Sequence, residues 1–172
     1  LGIATLQDRA LQTLVKLALE PEWEAKFEAN SYGFRPGRSC HDAVGAIFLA
    51  INKQPRYILD ADIAKCFDRI NQKRLLEKLA TSPTLRRLVK AWLQVGVLDG
   101  DRLFPTPEGV PQGGPLSPLL ANVALHGLET AVRSAFPARI RREGKPERWQ
   151  PTVCRYADDF VVLHKDRETV ER

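Results

Sequence analysis

Apolar residues recur at helical spacing in two segments near the start of the chain. In residues 8–20, one stripe of a helix would carry Leu11, Leu14, Val15, Ala18 and Leu19, and Pro21 then interrupts the pattern. The same spacing predicts a second helix through Ala43, Val44, Ile47, Phe48 and Ile51. Between the two helices, the glycines, proline and arginines of NSYGFRPGRS (30–39) predict a turn.

The middle of the chain mixes β-type and helical patterns. Residues 56–63 (RYILDADI) predict an apolar strand that ends in acids, and residues 71–80 and 83–95 predict helices. Residues 99–109 have the composition of a hairpin or turn. The glycine- and proline-rich loop GVPQGGPLSPLL (109–120) leads into a helix whose apolar stripe runs from Leu116 to Ala135.

The last third of the chain predicts a basic loop and a hairpin. Residues 138–149 are rich in charge and predict a solvated loop, whereas TVCRYADDFVVLH (152–164) predicts two short strands with acids at the turn. Helices and strands alternate without the regular rhythm of a parallel sheet. The pattern therefore favours an α+β domain with a small antiparallel sheet.

Composition narrows the function only slightly. The formal net charge of +5 favours a polyanionic partner, either nucleic acid or an anionic membrane. No segment approaches the length of an apolar membrane span, and no signal peptide is visible. Cys40, Cys66 and Cys154 are far apart and predict buried free thiols in a reducing compartment. Because the chain lacks methionine and stops within a polar, helix-like run, we expect it to be a piece of a longer protein.

The adjacent acids Asp158 and Asp159 are the first candidate site. Aspartate is common in solvated turns, which is one interpretation. Apolar residues flank the pair, however, and would hold the turn rigidly. Two fixed carboxylates repel each other unless a cation neutralises them or one takes up a proton. Magnesium, which prefers hard oxygen ligands, would serve that purpose.

A second group of acids ends the predicted strand at 56–63. Strand alternation places Asp60 and Asp62 on one face, and Asp68 follows shortly after. If this strand lies beside the hairpin, Asp62 can reach a metal ion held by Asp158. Two metal ions about 3.5–4 Å apart, bridged by such carboxylates, form the clamp used for in-line phosphoryl transfer.

Several blocks of the sequence resemble one family. RYADDF looks like the Y-x-D-D signature of reverse transcriptases, and LDADIAKCFDRI looks like the acid strand of the same palm. GVPQGGPLSPLLANVAL and SYGFRPGRSCHDAV are very similar to group II intron-encoded reverse transcriptases, the intron maturases, and LGIATLQDRALQ resembles the start of their fingers. The resemblance implies a right-hand polymerase fragment, truncated at both ends and without a thumb. Residues 1–55 would be mainly fingers and residues 56–172 mainly palm, with part of the fingers between the acid strand and the P-Q-G-G loop.

The resemblance also assigns the chemistry. It makes Asp62, Asp158 and Asp159 the catalytic acids, with Asp62 and Asp158 as main metal ligands and Asp159 as a helper. Ile63 would offer its backbone carbonyl to a metal ion. Two Mg²⁺ ions are implied, for which Mn²⁺ can substitute. The roles of Asp60 and Asp68 stay open.

The same resemblance implies a site for the incoming nucleotide. Phe67 would exclude a 2′-hydroxyl, or else be an ordinary core residue. Gln112 would touch the sugar or base, and Lys65 would lie near the same site. Arg35 and Arg38 suit triphosphate binding because guanidinium groups pair with phosphate oxygens in a bidentate way, although both could be solvent arginines of a turn.

The basic run at 138–149 either holds RNA phosphates or is solvated surface. Its basic residues are Arg139, Arg141, Arg142, Lys145 and Arg148. Trp149 either stacks on a base or anchors the loop. The expected partners are an RNA template with a DNA or RNA primer, group II intron RNA and dNTPs, with no membrane. Truncation would expose apolar palm surface and favour a homodimer.

The leading hypothesis is therefore an RNA-directed DNA polymerase of a group II intron, acting in the bacterial cytoplasm or an organelle. One alternative is an RNA-binding splicing cofactor without significant polymerase activity. Another is a reverse transcriptase of a retron or CRISPR-associated system. Without a thumb to grip the primer–template duplex, we expect the isolated chain to be weak or inactive.

Overall fold

The computed structural model describes residues 3–52, 54–142 and 144–171. In chain order the helices are α1 (Leu6–Glu24), α2 (Cys40–Ile51), α3 (Cys66–Arg69), α4 (Gln72–Leu79), α5 (Pro83–Gln94), α6 (Ser117–Leu125), α7 (Leu128–Ser134) and α8 (Arg167–Glu171). The strands are β1 (Tyr57–Asp62), β2 (Val97–Asp99), β3 (Arg102–Phe104), β4 (Arg139–Arg142), β5 (Lys145–Arg148), β6 (Thr152–Tyr156) and β7 (Asp159–His164). They form two compact units, Leu1–Phe27 with Ala64–Leu125 and Glu28–Ile63 with His126–Arg172.

The first unit is a helical core with the β2–β3 hairpin attached. Helix α1 begins at the N-cap Thr5, whose hydroxyl accepts a hydrogen bond from the Asp8 N–H at 3.1 Å. Its buried face carries Val15, Leu19 and Trp23, which pack in one cluster with apolar residues of α4, α5 and α6. The predicted helix is confirmed, but α1 continues through Pro21 to Glu24.

The buried face of α1 differs from the stripe predicted for it. Leu11 and Leu14 are 39% and 63% exposed, whereas Gln12 is buried. The apolar residues of α1 cover more than one face of the helix, and only one face packs on the core. The apolar periodicity therefore predicted the helix correctly, but it did not predict which face of the helix is buried.

The second unit is built on a three-stranded antiparallel sheet with the order β1-β7-β6. Helix α2 packs on β6 through a small cluster that includes Tyr32, Ala43 and Cys154. Strand β1 lies at the edge of the sheet, and its apolar residues Tyr57, Ile58 and Leu59 are exposed. The α+β class with a small antiparallel sheet, predicted from the sequence, is confirmed.

Two segments of the chain differ from the sequence prediction. Residues 138–149 are not a solvated loop but contain the β4–β5 hairpin, because Arg139 pairs with Arg148 and Arg142 with Lys145 along a regular ladder. The helix expected over Leu116–Ala135 ends at Leu125 and restarts at Leu128, because Gly127 has a φ of 95° that breaks the helix. Among the described residues, no helix is long and apolar enough to span a bilayer.

Candidate active site

The adjacent acids lie at a tight turn between two paired strands. Strands β6 and β7 are joined by Ala157 and Asp158, and Tyr156 pairs directly with Asp159, the first residue of β7. Ala157 has a φ of 57°, a conformation that costs free energy for a residue with a Cβ. Since Ala157 is buried, the surrounding structure rather than its own preference holds the turn in this shape.

The acid strand lies beside this hairpin, as the sequence argument required. In the β1–β7 ladder Asp62 is the Cα partner of Asp159, and the Ile63 N–H donates to the Asp158 carbonyl at 3.3 Å. Directly opposite residues of an antiparallel pair point to the same face of the sheet. The chain thus brings Asp62, Asp158 and Asp159 to one end of the sheet, where Asp62 and Asp159 are exposed and Asp158 is half-buried.

The second group of acids also contains Asp60 and Asp68. Asp60 pairs with Val161, two positions further along the ladder, and Asp68 lies on α3 in the first unit. This leaves Asp62 as the acid of β1 nearest the turn.

The donor set suits a hard divalent cation. None of the hydrogen bonds or ion pairs among the described residues engages the carboxylates of Asp62, Asp158 and Asp159, so their oxygens are open to a cation. No group of three or more His, Cys, Asp and Glu side chains in the described part of the chain is arranged to hold a metal ion by itself. Magnesium commonly takes only one or two protein carboxylates and completes its shell with waters and substrate phosphates. In their chemistry, the carboxylates of Asp62 and Asp158 fit this requirement.

The two arginines predicted to bind triphosphate have different surroundings. Arg35 is 7% exposed, and its Nη1 donates to the backbone carbonyls of Glu28 at 3.0 Å and Ser31 at 2.8 Å. It cross-links its own loop. Arg38 is half-buried, lies over the ring of Tyr32 and donates one hydrogen bond to the Ala29 carbonyl at 2.6 Å. Of the two, Arg38 is the more accessible to a phosphate.

The remaining residues predicted to bind the nucleotide all belong to the first unit. Lys65 is exposed with a φ of 54°, and Phe67 is half-buried against the apolar core. The Val110 N–H donates to the Phe67 carbonyl at 2.7 Å, which fixes the start of the P-Q-G-G loop against α3. Gln112 is exposed on that loop and borders a cavity of about 370 Å³. Within this unit, Phe67 and the loop that carries Gln112 are held together.

The basic residues of the β4–β5 hairpin, Arg139, Arg141, Arg142, Lys145 and Arg148, are all exposed. Trp149, for which two roles stayed open, packs edge-on against His164 with 4.7 Å between ring centroids and lies under Lys165. Lys165 in turn forms an ion pair with Glu147. The hairpin is therefore anchored to the end of β7, with its cationic side chains towards solvent.

Sequence reasoning missed Ser31, Gly33 and Arg155, which surround the turn. Arg155 is adjacent to the Y-A-D-D motif. Its burial would have marked it as a structural residue, but the sequence does not show that it is buried. An arginine in an apolar strand of alternating pattern looks like a solvent-facing residue, whereas here it is 3% exposed.

A small antiparallel sheet, with acids at the end of its edge strand β1 and at the turn of the β6–β7 hairpin, is consistent with the palm of a right-hand polymerase. A family model described as reverse transcriptase (RNA-dependent DNA polymerase) matches residues 1–172. The chain therefore belongs to the reverse transcriptase family, and the resemblance found in its motifs is confirmed.

Individual relatives place the chain within that family. It is 32% identical over 191 residues to protein YkfC of Escherichia coli, covering 96% of this chain and 50% of that protein. It is 38% identical over 154 residues to the group II intron-encoded protein LtrA of Lactococcus lactis, covering 88% of this chain and 25% of that protein. The chain thus spans half the length of one relative and a quarter of the other.

The fold also matches a solved structure of low sequence identity. Telomerase from Candida albicans, in a complex with a fragment of telomeric RNA, superposes with a TM-score of 0.59 at 14% identity. The match covers 95% of this chain and 31% of the telomerase chain. It supports the right-hand polymerase fold.

Proposed function

We propose that the chain is the catalytic part of an RNA-directed DNA polymerase encoded by a group II intron, which adds dNTPs to a primer 3′-hydroxyl on an RNA template. The observation that carries the proposal is the register of β1 against β7, which sets Asp62 opposite Asp159 and beside the turn that holds Asp158. Membership of the reverse transcriptase family and the similarity to LtrA support it.

In this proposal the carboxylates of Asp62 and Asp158 hold divalent metal ions, with Asp159 as a helper and the Ile63 carbonyl as a further ligand. When bound, Mg²⁺ or Mn²⁺ supplies positive charge at the attacking hydroxyl, the α-phosphate and the leaving pyrophosphate. The paired strands keep the carboxylates at fixed positions, and Arg38 is available to the triphosphate. Rate enhancement comes from positioning and electrostatics, since no side chain bonds covalently to substrate.

The test is Mg²⁺-dependent cDNA synthesis by the full-length gene product on a primed RNA template, compared with its Asp158→Ala variant. We expect cDNA from the parent and none above background from the variant, with template–primer affinity retained. Undiminished cDNA synthesis by Asp158→Ala would refute the proposal. Since the relatives are longer than this chain, we expect the 172 residues alone to extend a primer weakly or not at all.

A second candidate function is binding of intron RNA to assist splicing. It is favoured by the exposed basic residues of the β4–β5 hairpin, a surface suited to phosphates. Splicing of the intron RNA by the Asp158→Ala protein separates the two functions. Retained splicing without cDNA indicates that both reside in the protein independently, whereas a parent that splices without making cDNA indicates a cofactor alone.

A further inference from the structure

The catalytic turn is braced from inside the second unit by a buried guanidinium group. Arg155 precedes the turn on β6, and its Nη1 donates to the Ala157 carbonyl at 2.8 Å. Its Nη2 donates to the hydroxyl of Ser31 at 2.7 Å, and Ser31 is 2% exposed. The guanidinium of Arg155 therefore joins the strained residue of the turn to Ser31, which lies 124 positions before Arg155 in sequence.

Backbone hydrogen bonds fix that segment along the same strand. The Arg155 N–H donates to the Asn30 carbonyl at 2.9 Å, and the Tyr32 N–H donates to the Arg155 carbonyl at 2.9 Å. Residues 30–32 thus run beside β6 as a short parallel bridge at Ser31. Because both partners of the guanidinium are buried, its position is set by the fold and not by solvent.

Gly33 continues this segment directly against the turn. A Cβ placed on Gly33 would lie 2.3 Å from the backbone nitrogen of Ala157 and 3.0 Å from the carbonyl carbon of Tyr156. Its φ lies outside the left-handed region, so glycine is required here by space and not by backbone conformation. The backbone of Ala157 is thus held at its carbonyl by the Arg155 guanidinium and contacted at its nitrogen by Gly33.

We propose that Arg155, Ser31 and Gly33 are positioning residues that set the location of the Asp158 carboxylate by bracing Ala157. Ala157 has an unfavourable φ and adjoins Asp158, so a shift of its backbone moves the catalytic acid directly. The inference rests on the proposed polymerase function. Beyond that function, we infer that the S-Y-G segment (31–33), which contains no catalytic acid, controls the geometry of the proposed metal-binding turn.

Arginine is needed at position 155 because two acceptors lie in different directions. A guanidinium group presents several N–H donors in a rigid plane, whereas an ammonium group is a point charge on a flexible stem. Lysine at this position can reach the Ala157 carbonyl or the Ser31 hydroxyl, but it cannot reproduce the planar fork. Arg155→Lys retains the charge and much of the volume, and so it separates the geometry of the brace from its charge.

The first test is Gly33→Ala in the full-length gene product, with Gly45→Ala as the matched control. Gly45 lies in α2 of the same unit, and a Cβ there meets nothing within 4 Å. We expect Gly33→Ala to lower kcat for primer extension about 10- to 100-fold, as expected for displacement of a catalytic group by about 1 Å. The Mg²⁺ concentration for half-maximal rate should rise, while the template–primer Kd stays within twofold. Gly45→Ala should leave all three unchanged.

The second test uses Ser31→Ala and Arg155→Lys, which add no bulk and decide the matter if Gly33→Ala does not fold. We expect both to lower kcat and raise the Mg²⁺ requirement, with partial rescue by Mn²⁺ and an unchanged template–primer Kd. Normal kcat and Mg²⁺ dependence in the folded variants would overturn the positioning role. If the parent itself makes no cDNA, the proposed function fails and this inference fails with it, so the two failures are distinguished by the parent's activity.

Discussion

At the residue scale, the packing of Phe67 is compatible with its proposed role at the nucleotide. Phe67 is half-buried against the core of the first unit, and its carbonyl accepts from the Val110 N–H. The packing fixes the ring's position, which a steric gate requires. The core role and the sugar-excluding role suggested by the sequence are therefore compatible.

Phe67→Ala should admit ribonucleotides because it removes the bulk that is proposed to meet the 2′-hydroxyl. We expect discrimination between dNTP and NTP, measured as the ratio of kcat/KM in single-nucleotide primer extension, to fall about tenfold or more. Phe104→Ala, an exposed phenylalanine of the same unit, is the control. An unchanged ratio in Phe67→Ala would leave the residue with a packing role alone.

The three cysteines should differ in reactivity, since Cys40 is exposed and Cys66 and Cys154 are buried. Burial raises the pKa of the Cys154 thiol to about 11, so little thiolate is present at pH 8. We expect iodoacetamide at that pH to label Cys40 rapidly and the other two only after unfolding, as read by mass spectrometry of peptides. Rapid labelling of Cys154 in the folded protein would contradict the packing of α2 on β6. The expectation of three buried thiols was wrong for Cys40.

At the element scale, helix α7 begins without a capping side chain of its own. Its N-cap is Gly127, and the carboxylate of Glu28 accepts instead from the N–H groups of Glu129 and Thr130, at 3.3 and 2.8 Å, and from the Thr130 hydroxyl at 2.9 Å. Burial raises the pKa of Glu28, but these hydrogen bonds outweigh burial and leave the pKa below its usual value. A negative charge at a helix N-terminus is also favoured by the helix dipole.

Glu28→Gln should destabilise the second unit by about 1 kcal/mol, a low figure for a charge-assisted hydrogen bond because the site is partly exposed. Since the folded pKa is depressed, this stabilisation is fully present above the pKa of the unfolded state. It is lost as pH falls through the lower pKa of the folded state. Urea unfolding at pH 7 and pH 3 measures both effects. An equal difference between parent and variant at the two pH values would contradict this role of the carboxylate.

The sequence predicted most elements but not the contacts between distant segments. Apolar spacing gave α1, α2, α4, α5 and the β6–β7 hairpin, because each is a local pattern. The cap of α7 by Glu28 was not predictable, since the two lie about a hundred positions apart. The β4–β5 strands were missed because arginine and lysine side chains carry no alternating apolar signal.

At the scale of the whole molecule, each compact unit is assembled from two separate stretches of the chain. The acids at 62 and 158 could be paired from sequence only through the family resemblance, because spacing does not give strand order. For Arg35, the sequence suggested a role but did not show that the residue is buried. Its motif suggested a phosphate ligand, but the fold buries it against backbone carbonyls, so its proposed role needs a direct test.

The exposed basic hairpin should dominate the salt dependence of RNA binding. Each phosphate contact contributes about 0.7 to the slope of log K against log salt concentration for a single strand. Replacing Arg139, Arg141 and Arg148 together with alanine should therefore lower the slope by about 2, as measured by fluorescence anisotropy across a salt series. The corresponding triple lysine variant keeps the charge and should keep the slope. An unchanged slope in the alanine variant would show that the hairpin is solvated surface.

In the proposed mechanism, Asp62 and Asp158 share divalent metal ions at one end of the sheet. The most direct measurement is Mn²⁺ binding, followed by electron paramagnetic resonance, to the full-length gene product with primer–template and a non-hydrolysable dNTP. We predict that Asp62→Asn, Asp158→Asn and the double variant each lose the same bound Mn²⁺, while Asp60→Asn, on the same strand, retains it. Full Mn²⁺ binding by either single variant would contradict a shared site. So would a loss of bound Mn²⁺ in the double variant equal to the sum of the losses in the two single variants.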